Sequence, residues 1–536
     1  MTSAPAPGAP AAPERTHREI LVIFGALMLG MLLAALDQSI VSTALPTIVG
    51  ELHGLNHLSW VVTAYLLAST VTTPLYGKLS DLIGRKPVFL SAITIFLIGS
   101  LLAGAAQGMG QLVAFRFIQG AGAGGLMTLA MTIVADIVPA RQRGRYQGYL
   151  GAMFAVSSVV GPLLGGFITD NLSWRWVFYI NIPIGALALV VISAVLHLPR
   201  RRIEHAIDWT GAALLTAGVS SLLLALTWGG TEYPWGSSQV IGLAAAGLVI
   251  LAAFFQVERR AAEPVVPLSL LQNRVVLLGS LASGVVGLAM FAGLIYLPLF
   301  MQVVQQRSAT NSGLQLLPLM AGLLVTTVII GRRITKTGRY KRYPMFGALA
   351  VGVGLVLLSR MDATTPQWHT WAFMVVLGAG LGACMQVLVL AVQNAVDRSE
   401  LGTATALTSF LRSMGGSFGV ALGGAVLGNR LAHNLETGLP KGVHLSADAI
   451  RGRPDHIAQL PAAVRGPVVD AFAGSIGDVF LMGVPFAIVA FCLVLAMKEL
   501  PLADSPTHPG SAHPGEGVDA GELAIEGADP ASAALH

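Results

Sequence analysis

Gly77-Lys78-Leu79-Ser80-Asp81-Leu82-Ile83-Gly84-Arg85 has an echo far down the chain, Gly331-Arg332-Arg333-Ile334-Thr335-Lys336-Thr337-Gly338-Arg339, with the same spacing of its two glycines and closing arginine. Each stretch lies between long apolar runs. Upstream of them, Leu45-Pro46 and Leu297-Pro298 stand at nearly equal offsets. The chain therefore reads as a duplicated block of six apolar segments. Internal repeats of this kind mark secondary transporters, whose substrate site lies between the repeats.

Composition agrees. Of 536 residues, 54% are hydrophobic and 11% charged, and the mean hydropathy is +0.71; soluble domains carry about 25% charged residues. A soluble protein this apolar has too few polar groups to cover its surface. A disordered chain would be charged and poor in apolar residues. The apolar runs are continuous rather than alternating over about ten residues, which excludes a membrane β-barrel. The fold class is an all-α polytopic membrane protein. Cys384 and Cys492 fall inside apolar runs, so neither a disulfide frame nor a cysteine metal site is expected.

At about twenty residues per span, fourteen helices are expected, near residues 20–49, 58–76, 88–106, 112–138, 146–169, 176–196, 209–228, 240–257, 275–304, 313–330, 345–358, 371–396, 403–427 and 479–497. The first lacks a small-residue cleavage site and runs on into Asp37, so it reads as a retained span rather than a signal peptide. With the seventh and eighth helices set aside, a six-plus-six repeat remains. Lys and Arg concentrate in alternate loops: Lys78, Arg85 and Lys86; Arg141, Arg143 and Arg145; Arg200 to Arg202; Arg259 and Arg260; and six basic residues between Arg332 and Arg342. Those loops are expected on the cytoplasmic side, with both termini inside a cell membrane. The net charge of +5 is thus a topology signal, and nucleic acid is not an expected partner. The expected divisions are a cytoplasmic tail 1–19, a six-helix bundle 20–197, a two-helix insert with linkers 198–273, a second bundle 274–498 with an extracytoplasmic loop 429–475, and a disordered cytoplasmic tail 499–536.

Three motif matches dissolve in context. Gly120-Ala-Gly122-Ala-Gly124-Gly125 fits a dinucleotide pattern but follows no strand, so it reads as a helix-packing face. Gly415-Gly-Ser417-Phe-Gly419 resembles a nucleophile elbow without the strand-to-helix turn. His53 and His57 have ligand spacing but no evident third ligand. No catalytic or metal residues are expected, and with no phosphate-binding loop there is no ATP hydrolysis.

Asp37 differs, because a carboxylate at mid-span costs about 2.5–3.5 kcal/mol on insertion scales and is functional by default. Arg116 in the fourth span needs a partner or a wet cavity, and Gln119 and Gly120 share its face one turn on. Arg412 in the thirteenth span is comparable, with no acid in view. In the 77–87 loop, Gly77 and Gly84 permit a tight reversal, Asp81 can cap a short helix, Arg85 and Lys86 flank it, and Asp136 is a natural partner for Arg85. Gly161-Pro162-Leu-Leu-Gly165-Gly166 should bend the fifth helix and pack it closely. The aromatics of Trp174 to Phe178 fit an interfacial belt, and Asn181 is a polar group fit to line a cavity. Tyr65, Phe154, Tyr296, Phe300, Met385 and Gln386 are placed at cavity depth.

At these residues the chain resembles the major facilitator superfamily, and within it the fourteen-helix drug:proton antiporter branch (QacA/EmrB-like). Leu36 to Pro46 resembles that branch's first-helix motif, 77–86 the superfamily loop motif, Arg116 to Gly120 the fourth-helix motif, and Gly161-Pro162 with Gly165-Gly166 the antiporter motif. The resemblance implies two six-helix bundles around a central cavity with alternating access, and proton-driven export of drugs or other amphipathic small molecules. It implies proton or cation coupling at Asp37 with Arg116, and a cytoplasmic gate at Gly77, Asp81, Gly84, Arg85, Lys86 and Asp136. Substrate and proton would compete at Asp37. The expected partners are a small-molecule substrate, protons and the lipid bilayer; the proton gradient replaces a cofactor, and a monomer is expected. Some relatives carry acids in the tenth and thirteenth helices where this chain has Gln315 and Arg412, which opens neutral, zwitterionic or anionic cargo. Export of an endogenous metabolite, antibiotic or lipid is the alternative; a receptor or enzyme on the same fold would have lost the motif residues, which are intact.

Overall fold

The computed structural model describes residues 17–52, 58–138, 140–196, 208–230, 232–261, 264–307, 309–439 and 461–502. The described chain is helical, and eleven of its helices are long and apolar enough to cross a membrane. Counting the remaining long or apolar helices gives fourteen in order. They are α1 (His17–Glu51), α2 (Leu58–Ile83), α3 (Arg85–Gly104), α4 (Met109–Ile137), α5 (Ala140–Asn171), α6 (Asn181–Val195, preceded by the single turn Trp176–Tyr179), α7 (Trp209–Trp228) and α8 (Ser238–Glu258). The rest are α9 (Arg274–Val303), α10 (Leu317–Thr337), α11 (Arg342–Leu358), α12 (Gln367–Asn394), α13 (Leu401–Gly438) and α14 (Ala462–Ala496).

The duplication is visible in the packing. In the first half α4 packs on α2 and α3, α1 on α4, α5 and α6, and α3 on α6. Adding eight to every label gives the second half: α12 on α10 and α11, α9 on α12, α13 and α14, and α11 on α14. The contacts between halves obey the same swap, since α2 meets α13 where α10 meets α5, and α4 meets α13 where α12 meets α5. Glycines allow the closest approaches: a Cβ on Gly122 would stand 2.4 Å from the Phe96 amide nitrogen, and one on Gly415 1.9 Å from the Gly284 carbonyl. Both glycine-rich stretches are therefore packing faces. The insert is a hairpin in which α7 packs on α8 and docks on α2 and α13.

Several ends differ from the sequence expectation because helices outrun the hydrocarbon. Hydropathy stops at polar residues, but a helix needs only its backbone bonds to continue into water. Thus α10 runs to Thr337, α13 to Gly438 and α14 begins at Ala462, so much of the expected 429–475 loop is helical. Gln315 falls between the short helix Ala309–Leu314 and α10 rather than inside a span. The tail 1–16, the histidines at 53 and 57, and residues 440–460 and 503–536 lie outside the described residues.

Candidate functional site

On the face that bears the basic loops, the α2–α3 connection reaches across the halves. Gly77 lies inside α2 rather than at a reversal, and the reason is contact: a Cβ there would stand 2.5 Å from that of Ala406 and 2.8 Å from the Gly402 carbonyl oxygen of α13. One turn on, Asp81 caps α13 instead of a helix of its own. Its Oδ1 accepts from the Gly402 amide (3.1 Å), and its Oδ2 from the amide and hydroxyl of Thr403 (2.9 and 2.7 Å). A carboxylate suits a helix N-terminus, where unpaired amides concentrate positive potential. The turn itself is made by Gly84, with φ of +106°.

Arg85 locks this arrangement. It donates to Asp81, to Ser80 Oγ (2.7 Å) and, through Nε, to Asp136 at the end of α4 (2.7 Å), the partner expected from sequence. Lys86 donates to the Ser193 carbonyl of α6 (2.7 Å). Arg143, which sequence did not single out, is buried and ties the start of α5 to the carbonyls of Ala135 (2.6 Å) and Val138 (3.0 Å). Glu400, just before α13, has its carboxyl pushed above the usual range, by burial first and then by the neighbouring Asp397 and Asp81 carboxylates, with Lys78 opposing.

Toward the other face, inside the first half, Asp37 is wholly buried at 0% exposure. Arg116 Nη1 donates to its Oδ2 at 2.6 Å; Gln119 Nε2 and Asn181 Nδ2 donate to its Oδ1 at 2.7 and 3.0 Å. Arg116 also donates to Gln119 Oε1 (2.7 Å), and Ser100 Oγ accepts from both amides while donating to the Phe178 carbonyl (2.8 Å). The Tyr65 ring covers the guanidinium, its centroid 4.2 Å away. Five of the six helices in this half meet at one ion pair. Small residues make that possible, since a Cβ on Gly99 would stand 2.4 Å from the Gln119 nitrogen and one on Gly120 2.4 Å from the Tyr65 carbonyl oxygen.

The structure separates the remaining expectations by direction as well as depth. Asn181 serves Asp37 and Tyr65 serves Arg116, both buried rather than lining open space. Tyr296 and Phe300 sit in the core of the second half, with the Tyr296 hydroxyl donating to the Val420 carbonyl (2.8 Å). Met385 packs against the same core. Depth along a helix does not fix which way a side chain faces: Tyr65, Tyr296 and Phe300 are buried within the bundles, and Met385 is half-buried. Gln386 keeps an Oε1 with no hydrogen-bond partner, and so does Nη1 of Arg412. Trp174 is buried and donates to Glu51 (2.7 Å), whereas Trp176 is exposed. On α5, Gly161 meets Ser39 and Gly165 meets Ile40, but Gly166 faces no neighbour within 4 Å, so only one of the paired glycines is a contact. The helix is continuous through this stretch. The side chains of Phe154 and Pro162 lie outside those described.

Ser100 is the group that sequence reading missed. A lone serine in an apolar helix carries no signal until its neighbours are known.

Residues 27–420 match the family model described as Major Facilitator Superfamily. The chain belongs to that superfamily. It is 42% identical over 483 residues to the uncharacterized MFS-type transporter Rv1877 of Mycobacterium tuberculosis, covering 90% of this chain and 70% of that protein. It is 36% identical over 515 residues to the multidrug transporter protein MdtP of Bacillus subtilis, covering 91% and 95%. The major facilitator proton:xylose symporter XylE, solved with 6-bromo-6-deoxy-D-glucose, shares the fold with a TM-score of 0.56 at 16% identity, over 88% of this chain and 96% of that one. This member of the superfamily is thus a multi-pass membrane transporter of small molecules and not an enzyme.

Proposed function

We propose that this transporter exports amphipathic small molecules, drugs among them, across the cell membrane in exchange for protons, with its basic face in the cytoplasm. The observation that carries the reading is the Asp37–Arg116 pair, sealed from water and lipid at the junction of five helices. Protonating Asp37 removes the charge that balances Arg116. Losing one partner of a buried pair costs about 3–5 kcal/mol, enough to drive helices apart. An inward-moving proton supplies about 2.3 kcal/mol per 100 mV of membrane potential, plus its pH gradient.

Helix α2 supports a path from that event to the gate. Tyr65, stacked on Arg116, and Asp81, capping α13, lie on this one helix about 24 Å apart at 1.5 Å per residue. Pro74 between them removes a backbone bond and supplies a flexible point. Repacking at Arg116 then pulls on the cap that holds the cytoplasmic face shut. Direct competition of substrate and proton at Asp37 gives way to this indirect linkage, because both carboxylate oxygens are occupied within the bundle.

Everted vesicles energised by a pH gradient test the reading. Asp37→Asn is expected to lower gradient-driven substrate accumulation about 100-fold, and Asp37→Asn with Arg116→Gln to recover folding without transport. If Asp37→Asn accumulates substrate as the parent does, Asp37 is not the coupling group.

A further inference from the structure

The second half carries a charge that no described residue answers with a hydrogen bond or ion pair to its buried Nη1. Arg412 stands eleven residues into α13, about 16 Å from its basic-face end, and so near the middle of a hydrocarbon layer about 30 Å thick. The three arginines buried among the described residues are all engaged: Arg85 by two carboxylates, Arg116 by Asp37, and Arg143 by two backbone carbonyls. Arg412 has its Nη1 buried and without a partner. Its place is fixed nonetheless, because Gly287 of α9 packs against its carbonyl and the base of its side chain.

Helix register places further polar groups near its level. Gln393 of α12 donates to Thr405 of α13 at 3.1 Å, which sets the level of these two antiparallel helices. Seven residues outward along each, on nearly the same faces, stand Gln386 and Arg412. Ser280 of α9 bonds Thr408 at 2.9 Å, and one turn outward come Ser283 and the Arg412 level. Ser409 lies one turn below Arg412 on α13. Gln386 Oε1, Ser283 Oγ and Ser409 Oγ are each buried and unbonded, as is Arg412 Nη1. Helix register thus puts four polar side chains at one level of three packed helices, each with a buried atom that has no hydrogen-bond partner among the described residues, and such groups call for an explanation.

We propose that Arg412, with Ser283, Gln386 and Ser409, is the pole of the transport site that binds an acidic group of the cargo, a carboxylate or similar oxyanion on an amphipathic molecule. The guanidinium supplies charge and a planar fork of donors suited to a carboxylate, and the two hydroxyls add donors beside it. Asp37, the carboxylate buried at mid-span in the first half, is already paired with Arg116 and so is not free to answer a cation. The proposal rests on the exporter reading and names its substrate class.

Two probes with one fluorophore and opposite charges test it: N-dansylglycine, a carboxylate, and dansylcadaverine, an ammonium. Both are titrated into the full chain in lipid nanodiscs. N-dansylglycine is expected to bind at least tenfold more tightly than dansylcadaverine. R412Q should weaken N-dansylglycine binding at least tenfold without weakening dansylcadaverine, R412K should lose less, and S409A a few-fold. If R412Q does not give a monodisperse protein, R412K and S409A carry the test. A wild-type preference for dansylcadaverine, or N-dansylglycine binding indifferent to these changes, overturns the proposal. Proteoliposome flux under a pH gradient separates the two readings. Gradient-driven flux of dansylcadaverine alone sinks the anion site and spares the exporter. Arg412-dependent binding of N-dansylglycine with no driven flux of either probe sinks the exporter reading and leaves the site.

Discussion

The 77–85 and 331–339 loops descend from one repeat, yet they fasten different things. Both turn on a glycine that only a residue without Cβ adopts easily, Gly84 at φ +106° and Gly338 at φ +69°. In the first loop Asp81 crosses to the other half and caps α13. In the second, the equivalent residue is Thr335, whose hydroxyl donates to Gly331 of its own helix at 2.9 Å. Glu499, just beyond α14, ties this loop to its own half by accepting from the Tyr340 and Lys341 amides at 2.7 and 3.0 Å. Duplication copied the backbone; the first copy carries a charged cap laid across the halves, and the second is strapped to the end of its own half by Glu499.

Asp81→Ala should break this contrast outright. It removes a charged cap with three hydrogen bonds, worth roughly 2–4 kcal/mol. Spin labels at the exposed Ile83 and Ser399, in a background lacking both cysteines, should then report a longer, broader distance. Unchanged distances would mean that Asp81 does not hold the face shut. Next, Gly84→Ala should cost about 1–3 kcal/mol, because its conformation (φ +106°, ψ 152°) is nearly exclusive to glycine. Gly338→Ala, in the ordinary left-handed region, should cost about 1 kcal/mol. Thermal unfolding ranks them, and only Gly84→Ala should also lengthen the label distance.

Glu499→Ala should lower stability by about 1 kcal/mol and leave that distance alone, since its bonds stay within the second half. The smallest effect belongs to Glu400. Its carboxyl sits above the usual range because burial and the nearby Asp397 and Asp81 disfavour its charge. The closed face therefore holds that proton more tightly than an open face would, so closure is favoured as pH falls through the raised value. Glu400→Gln should flatten this dependence and favour closure at neutral pH by about 0.5 kcal/mol or less. Label distances at a series of pH values check both.

How much of this was legible beforehand depended on the kind of signal. Hydropathy gave the helices and their number, and the glycine echo gave the repeat that the packing pairs display. Arg85 with Asp136 was foreseeable because two opposite charges at adjacent helix ends have few other options. The target of Asp81 was not: its partners are the Gly402 and Thr403 amides, a group almost every residue possesses, and the Thr403 hydroxyl, over three hundred positions away. Asp37 and Arg116 were each conspicuous, but their pairing through Gln119, Asn181 and Ser100 depends on helix rotations that a one-dimensional pattern leaves open. The same rotations decide that Tyr65, Tyr296 and Phe300 are buried within their bundles, which depth along the sequence does not specify.

One feature of the inserted hairpin bears on movement. Helix α7 touches α2, which belongs to one half, and α13, which belongs to the other, and it does so through a single apolar cluster that includes Val71, Leu215, Val219 and Leu407. Trp228 at its end stacks edge-on against Trp60 of α2, with ring centres 5.1 Å apart. A body fastened to two plates that swing apart cannot keep hold of both. In the exchange proposed above, the hairpin would ride with the plate its tryptophan meets and glide along the other on apolar side chains, a bearing laid into the joint.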